Sequence, residues 1–485
     1  MPRPVRSERI ETDWDGGSML ILLLALIAAP AGAGEADGGV GQSSQGSAKK
    51  PPGAADAGED EEALRRELEQ ALGKDAAAAA AQGQAPQTSP APPAATGGAT
   101  PPPPLFRGAQ SLNPDISAIL DATGGYQRRP LQFPNGDDPI LRGEEGKKSV
   151  GFTAQEVELA FSAIVDPYFR GDVFLTIPNQ EGLEVEEAFA TTTSLPWNLQ
   201  IKGGSFRSAF GRQNGQHLHV QDFTRRPLIN SAFLGSDGLR GPGVQVSWLS
   251  PLPFFLTLSG EAFSIGAPDQ PEAGTTLAPP VASFGGGEPT DLTYAAEAKA
   301  FFPFGDAWSV YFGLNGATGV SPGLFQPTDT GVNVIGANRR SYLVGADLYV
   351  KWKPPNVAAG YNSLAWQTEA IWRHLEDGLG VPGGWDGGFY SQVVLQVARR
   401  WFLGVRGDVL GIPTSSSLGQ TVRGGASVTC QLSEFARVRA YLEAEHVSSG
   451  PSVPGVTLSP VVPADAFAAF LQLEISIGAH GAHPF

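Results

Sequence analysis

The sequence predicts an all-β fold: a transmembrane, antiparallel, up-and-down β-barrel of about 16 strands. Three observations carry this. Short segments of alternating apolar and polar residues recur from residue 111 to the end, as half-buried strands require. Their connections alternate between tight joins and longer loops, the pattern of periplasmic turns and outer loops. No run of about 20 apolar residues exists, which excludes a bundle of membrane helices.

The chain opens differently. Arg3, Arg6 and Arg9 precede an apolar run from Met19 to Ala29, and Ala31, Gly32 and Ala33 follow with small residues at the spacing a signal peptidase needs. Residues 1–33 therefore read as a secretory signal. Acidic residues between them, Glu8, Glu11, Asp13 and Asp15, are foreign to such a leader and offer Met19 as an alternative start. Residues 34–110 are rich in Gly, Ala, Pro, Ser and Gln, a composition that buries too little apolar surface to offset the entropy of ordering. They read as a disordered tether. Within it, Leu64, Leu68 and Leu72 form one stripe of a short helix near 60–73, marginal on its own.

The barrel is expected over 111–485, with strands near 115–126, 150–163, 168–177, 183–194, 198–205, 243–249, 254–265, 291–302, 307–317, 341–352, 362–374, 388–398, 400–410, 422–432, 435–446 and 466–480. The joins VDP, SLPW, SPLP, PFGD, KPPN and LSE carry turn residues. Val157, Leu159 and Phe161 alternate with Glu156, Glu158 and Ala160; Leu471, Leu473 and Ile475 alternate with Gln472 and Glu474. A soluble sandwich would alternate too, so aromatic placement decides. If the N-terminus is periplasmic, strand order puts Trp248, Phe254, Trp308, Trp352 and Trp401 all at the periplasmic end on apolar faces, where an interfacial girdle belongs. Glu187 breaks the pattern by sharing a face with Val185 and Phe189, which points to a bulge or a shifted register. The lone Cys430 keeps step with Val428 and Ala426 and reads as a small apolar side chain. Phe485 ends the last strand segment on an aromatic.

Residues 206–240 interrupt the strands with a long loop carrying Arg207, Arg212, Arg225, Arg226 and Arg240. A loop of this length in a compact domain is functional or disordered, and Phe206, Phe210, Phe223 and Phe233 give it anchors. The expectation is that it folds into the lumen. There Arg207, Arg212, Arg225 and Arg226 would form the constriction and favour anions, or else would pin the loop to wall carboxylates. Inward wall positions carry both signs, including Glu158, Glu297, Asp347, Glu369, Asp408 and Glu443 beside Lys202, Lys299, Arg373, Arg406 and Arg439.

The segments LNPDISAIL, EVELAFSAIVDPYFRGDVFL, EVEEAF, FGRQNGQHLH, RRPLIN, FLGSDGL and GAHGAHPF resemble a family of porin-like outer-membrane barrels of Gram-negative bacteria, similar to phosphate-selective porins. Some relatives bear the label of zinc-regulated outer-membrane receptor. The resemblance implies an outer-membrane location and passage of small solutes, and gives Phe485 the role of an insertion signal read by the barrel-assembly machinery.

The function that follows is a passive porin for small hydrophilic solutes, embedded in outer-membrane lipid, without a cofactor and open to homo-oligomerisation. A net charge of −16 argues against nucleic acid as a partner. Nothing groups a nucleophile, a base and an orienting residue, so an enzyme is not expected. The alternatives are a metal (zinc) uptake receptor, for which His217, His219 and Asp222 would supply ligands, and a structural barrel anchored by its tail. An energised receptor, however, needs a globular plug and about 22 strands.

Overall fold

The computed structural model describes residues 114–128, 148–179, 182–235, 237–265, 283–286, 288, 290–322, 324–328, 331–335, 338–378, 383–413, 418–449 and 464–478. The expected signal segment 1–33, the tether 34–110 with its helix, and Phe485 lie outside them.

Eighteen strands follow one another among the described residues. They are β1 (Asp115–Arg128), β2 (Lys148–Ile164), β3 (Phe169–Pro178), β4 (Glu184–Thr192), β5 (Leu199–Arg207), β6 (Arg240–Leu249), β7 (Phe255–Ser264), β8 (Leu292–Phe304) and β9 (Trp308–Ser321). The chain continues with β10 (Leu324–Thr328), β11 (Gly331–Ile335), β12 (Arg339–Trp352), β13 (Ser363–Leu375), β14 (Gly384–Ala398), β15 (Trp401–Leu410), β16 (Gln420–Gln431), β17 (Ala436–Ser449) and β18 (Ala464–Gly478). Sixteen of them close into one antiparallel barrel in chain order, β1 pairing with both β2 and β18. Closure leaves no unpaired strand edge, which a wall facing lipid cannot tolerate. The remaining two, β10 and β11, form a separate hairpin within the connection between β9 and β12, an element the alternation did not reveal.

Joins between strands are short at one end, as at 305–307 and 399–400, and longer at the other, as at 208–239 and 450–463. The wall is inverted relative to a soluble protein. Phe152 is 95% exposed on the outside, and Val405 and Ile477 are more than half exposed, whereas Arg373 inside is 0% exposed. The tryptophans sit where alternation puts them: Trp308 and Trp352 are register partners with ring centroids 6.3 Å apart, Phe254 and Phe302 stack at 5.6 Å, and Trp401 opens β15. Cys430 is partly buried and pairs with Trp401 in register.

Two boundaries of the long loop move. Ladder pairing continues through Phe206↔Gly241 to Arg207↔Arg240, so these four residues belong to strands and the loop proper spans 208–239. A break of register between Phe174 and Leu175, facing β4, leaves Phe174 opposite Glu187 and Leu175 opposite Val185. Glu186 is the extra residue of a β-bulge. In a regular strand Glu186 and Glu187 would point to opposite faces; here both are buried inside.

Candidate functional site

The loop 208–239 lies inside the barrel, and its chemistry explains why. Most of its residues are buried, including Phe210, Phe223 and the whole of the helix α1 (Leu228–Leu234). Phe210, Leu228, Ile229, Phe233 and Leu234 form one apolar cluster with inward wall residues Leu343, Ile371, Tyr390 and Leu410. Phe223 packs separately against Tyr441, at 5.7 Å between ring centroids.

Burying an irregular segment leaves backbone N–H and C=O groups that must find partners. Wall side chains supply them. Glu261 on β7 accepts the Ala209 N–H at 2.9 Å, Asn315 on β9 accepts that of Gly211 at 3.0 Å, and Glu369 on β13 accepts those of Arg212 and Gln213 at 2.9 and 2.6 Å. Asp408 on β15 accepts the Leu228 N–H at 2.9 Å. On the far wall, Arg439 of β17 donates to the Gln221 carbonyl at 2.7 Å, and Arg437 donates to that of His219. The loop is thus tied to strands all around the lumen. Its neck is clasped by Asn214, which donates to the carbonyls of Ser208 (2.8 Å) and Leu239 (3.0 Å) and accepts the Leu239 N–H at 2.8 Å. Gly238 at φ 81° lets the neck close: a Cβ there would come within 2.6 Å of Asn214 Oδ1.

The four arginines expected at the constriction divide into two kinds. Arg207 donates to Glu186 from Nε at 3.1 Å and also from Nη2, and Arg225 pairs with Glu443 on β17 at 2.6 Å. Arg226 is buried against the neck, beside Gly238. Arg212 alone of the four is partly exposed. Its guanidinium lies over the Tyr349 ring at 3.9 Å and donates to Gln367 at 3.3 Å. It opens on a cavity of about 290 Å³ between the loop and β4–β8, which Lys202, Lys299 and Arg207 also line. The carboxylates there are Glu187 and Glu297, so four cationic side chains face two anionic ones. Lys299 pairs with Glu297 at 2.7 Å, and Lys202 sits over the Phe189 ring at 4.7 Å.

A second cluster joins the loop to β2 and β4. His217 presents Nδ1 to Glu158 and Glu186, both at 3.2 Å, and Nε2 to Glu187 at 2.8 Å. Burial disfavours the imidazolium, but Glu186 and the hydrogen bonds to Glu158, Glu186 and Glu187 outweigh it and hold His217 well above the ordinary histidine value. His219 Nδ1 lies 3.2 Å from the same Glu158 oxygen. Metal-competent groups form here from Glu156, Glu158 and His219, and from Glu158, Glu186 and His217. Asp222, expected as the third ligand beside the histidines, is exposed and belongs to neither group.

An apolar outer face, a girdle at the short-turn end and a closed wall around charged residues admit one solvent arrangement: lipid outside, water inside. The chain is a transmembrane barrel of the outer-membrane type. No family model matches it. A protein of Aquifex aeolicus (strain VF5), described only as uncharacterized, is 33% identical over 320 residues, which is 61% of this chain and 64% of that relative. The chain therefore matches less than two thirds of that relative's length. Among solved structures, the anion-selective porin from Comamonas acidovorans has a TM-score of 0.48 at 10% identity, covering 75% of this chain and 99% of its own. The outer membrane channel DcaP of Acinetobacter baumannii has a TM-score of 0.48 at 11% identity, covering 77% and 99%.

Residues that pattern reading did not single out carry much of this barrel's interior. Glu186 was hidden because the bulge reverses its side. Glu261 and Gln367 occupy inward positions that alternation does mark, but nothing local distinguishes an acid that holds a loop amide from one that lines water.

Proposed function

We propose that the protein is an outer-membrane porin that passes small hydrophilic solutes by diffusion and favours anions. The observation that carries this reading is the excess of cationic side chains around the cavity beneath the inward loop, with Arg212 and Lys202 as the members that meet no carboxylate in the described ion pairs and Lys299 paired with Glu297. Arg207 and Arg225 are neutralised by Glu186 and Glu443, so their part is to fix the loop. The selecting charge then falls mainly to Arg212, the fourth expected arginine Arg226 being buried. A barrel of this strand number has room for a water-filled lumen, and a ring of one charge sign selects the opposite ion. The loop's bonds around the wall make the route narrow, which favours small solutes over large ones.

Planar-bilayer recording in asymmetric KCl tests the reading. A reversal potential on the chloride side supports it. Cation preference, or insertion without conductance, overturns it.

A further inference from the structure

We propose that a divalent cation binds where the loop meets β2 and β4, with Glu156, Glu158 and His219 as its ligands and His217 and Glu186 at its margin, and that it locks the loop to the wall. Imidazole nitrogen with carboxylate oxygen suits ions such as Zn²⁺ or Mn²⁺.

Four independent features place it there. Glu158 Oε2 lies 3.2 Å from Nδ1 of both His217 and His219. Ligand atoms about 2.0–2.1 Å from one tetrahedral ion stand about 3.3 Å apart, so Glu158 and His219 already span one edge of such an ion, and Glu156 brings a ligand atom within 4.8 Å of both. Next, the other Glu158 oxygen, Oε1, is buried and has no hydrogen-bond partner among the described residues, although the side chain is 0% exposed. A buried carboxylate oxygen left this way costs about 1–3 kcal/mol or more, which a cation removes. Then there is charge: Glu156, Glu158, Glu186 and Glu187 are all buried in one cluster. A divalent ion offsets the repulsion among these buried carboxylates. Lastly, His217 and Glu187 line the cavity below the loop, which gives an ion a way in from the lumen.

The ligands come from two places that are held in register by different means. Glu156 and Glu158 project from β2 just past a β-bulge whose extra residue is Gln155, Glu186 is turned inward by the bulge in β4, and His217 precedes and His219 lies within the 3₁₀ turn Leu218–Val220. An ion there cross-links the loop to β2 and β4, in addition to its Glu443 and Arg439 anchors on β17. The site is independent of the ion selectivity proposed above, since Arg212 and the two lysines are not among its ligands.

The test uses the tag-free full chain, folded in detergent, stripped with chelator and titrated with Zn²⁺ and Mn²⁺ by calorimetry, with metal content read by mass spectrometry. One ion per chain is expected. Glu158→Gln and His219→Ala should each weaken binding by more than about a hundredfold, since loss of even an outer partner costs about 10–100-fold. Asp222→Asn should change nothing. Binding that survives both substitutions, an adventitious ion only, overturns the proposal, as does absence of binding by folded wild-type chain. Should a variant fail to show heat-modifiable migration, X-ray absorption on the loaded wild type decides: imidazole scattering supports the site, and its absence overturns it. Unchanged selectivity in the stripped protein separates this result from the porin reading.

Discussion

Replacing Arg212 by alanine separates selection from support more cleanly than any other change in the lumen. The loop is tied to Glu369 by the Arg212 backbone N–H, at 2.9 Å, and that bond survives the substitution. What is lost is the guanidinium over Tyr349 and its 3.3 Å bond to Gln367. A partly exposed cation–π contact is worth about 0.5–1 kcal/mol, so unfolding should shift only slightly. The effect on a permeating anion is larger. A unit charge about 4 Å away contributes about 1 kcal/mol at the dielectric of water and about 4 kcal/mol at an effective value near 20. Taking the lower figure, anion permeability should fall about fivefold and, with the equal and opposite change for the cation, the anion-to-cation ratio roughly 25-fold, because about 1.4 kcal/mol is tenfold. Raising the salt should shrink the difference, as the screening length drops from about 10 Å at 0.1 M to about 3 Å at 1 M. Reversal potentials at several KCl concentrations measure both. If Arg212→Ala leaves the ratio unchanged at low salt while Lys202→Ala lowers it, the selecting charge lies on the wall and the assignment to the loop is wrong.

Three further outcomes are expected. Arg225→Ala removes the 2.6 Å partner of Glu443 but leaves Arg423 and Arg406 within 3.4 and 3.5 Å of it, so stability should drop by about 1–3 kcal/mol with little change in selectivity; a stability equal to wild type in a heat-modifiability series would contradict the pinning role. Val405→Arg places a cation on the lipid face of β15 and should cost about 2–4 kcal/mol in folding into bilayers, measured by denaturant titration in vesicles; a cost near zero would mean that this face is not in lipid. Removal of Phe485 should slow membrane insertion far more than it alters the conductance of channels that do insert, and normal surface levels of that variant would end its assignment as an assembly signal.

The division between legible and illegible features runs along sequence distance. Inward and outward faces follow from a period of two, a property of each strand alone, so the strand series and the girdle of Trp248, Trp308, Trp352 and Trp401 are present in the sequence. The inward turn of the loop is legible as well, because Phe206, Phe210, Phe223 and Phe233 have no other place to be buried. Even the anomaly at Glu187 marks its bulge.

Sequence by itself thus determined the barrel, its strand number and the facing of its strands, and marked 206–240 as a segment apart. Only the tertiary structure decided what each charge on that segment does. Arg225 meets Glu443 218 positions away, His217 meets Glu158 59 positions away, and Arg212 meets no carboxylate through its side chain in any described ion pair. Which arginine is neutralised and which stays open depends on barrel closure and on the register of distant strands, and nothing in the residues beside each one distinguishes the two outcomes. The grouping of both histidines with Glu158 has the same origin, for a side chain's facing is set by its neighbours along the chain and its partner by the wall across the lumen.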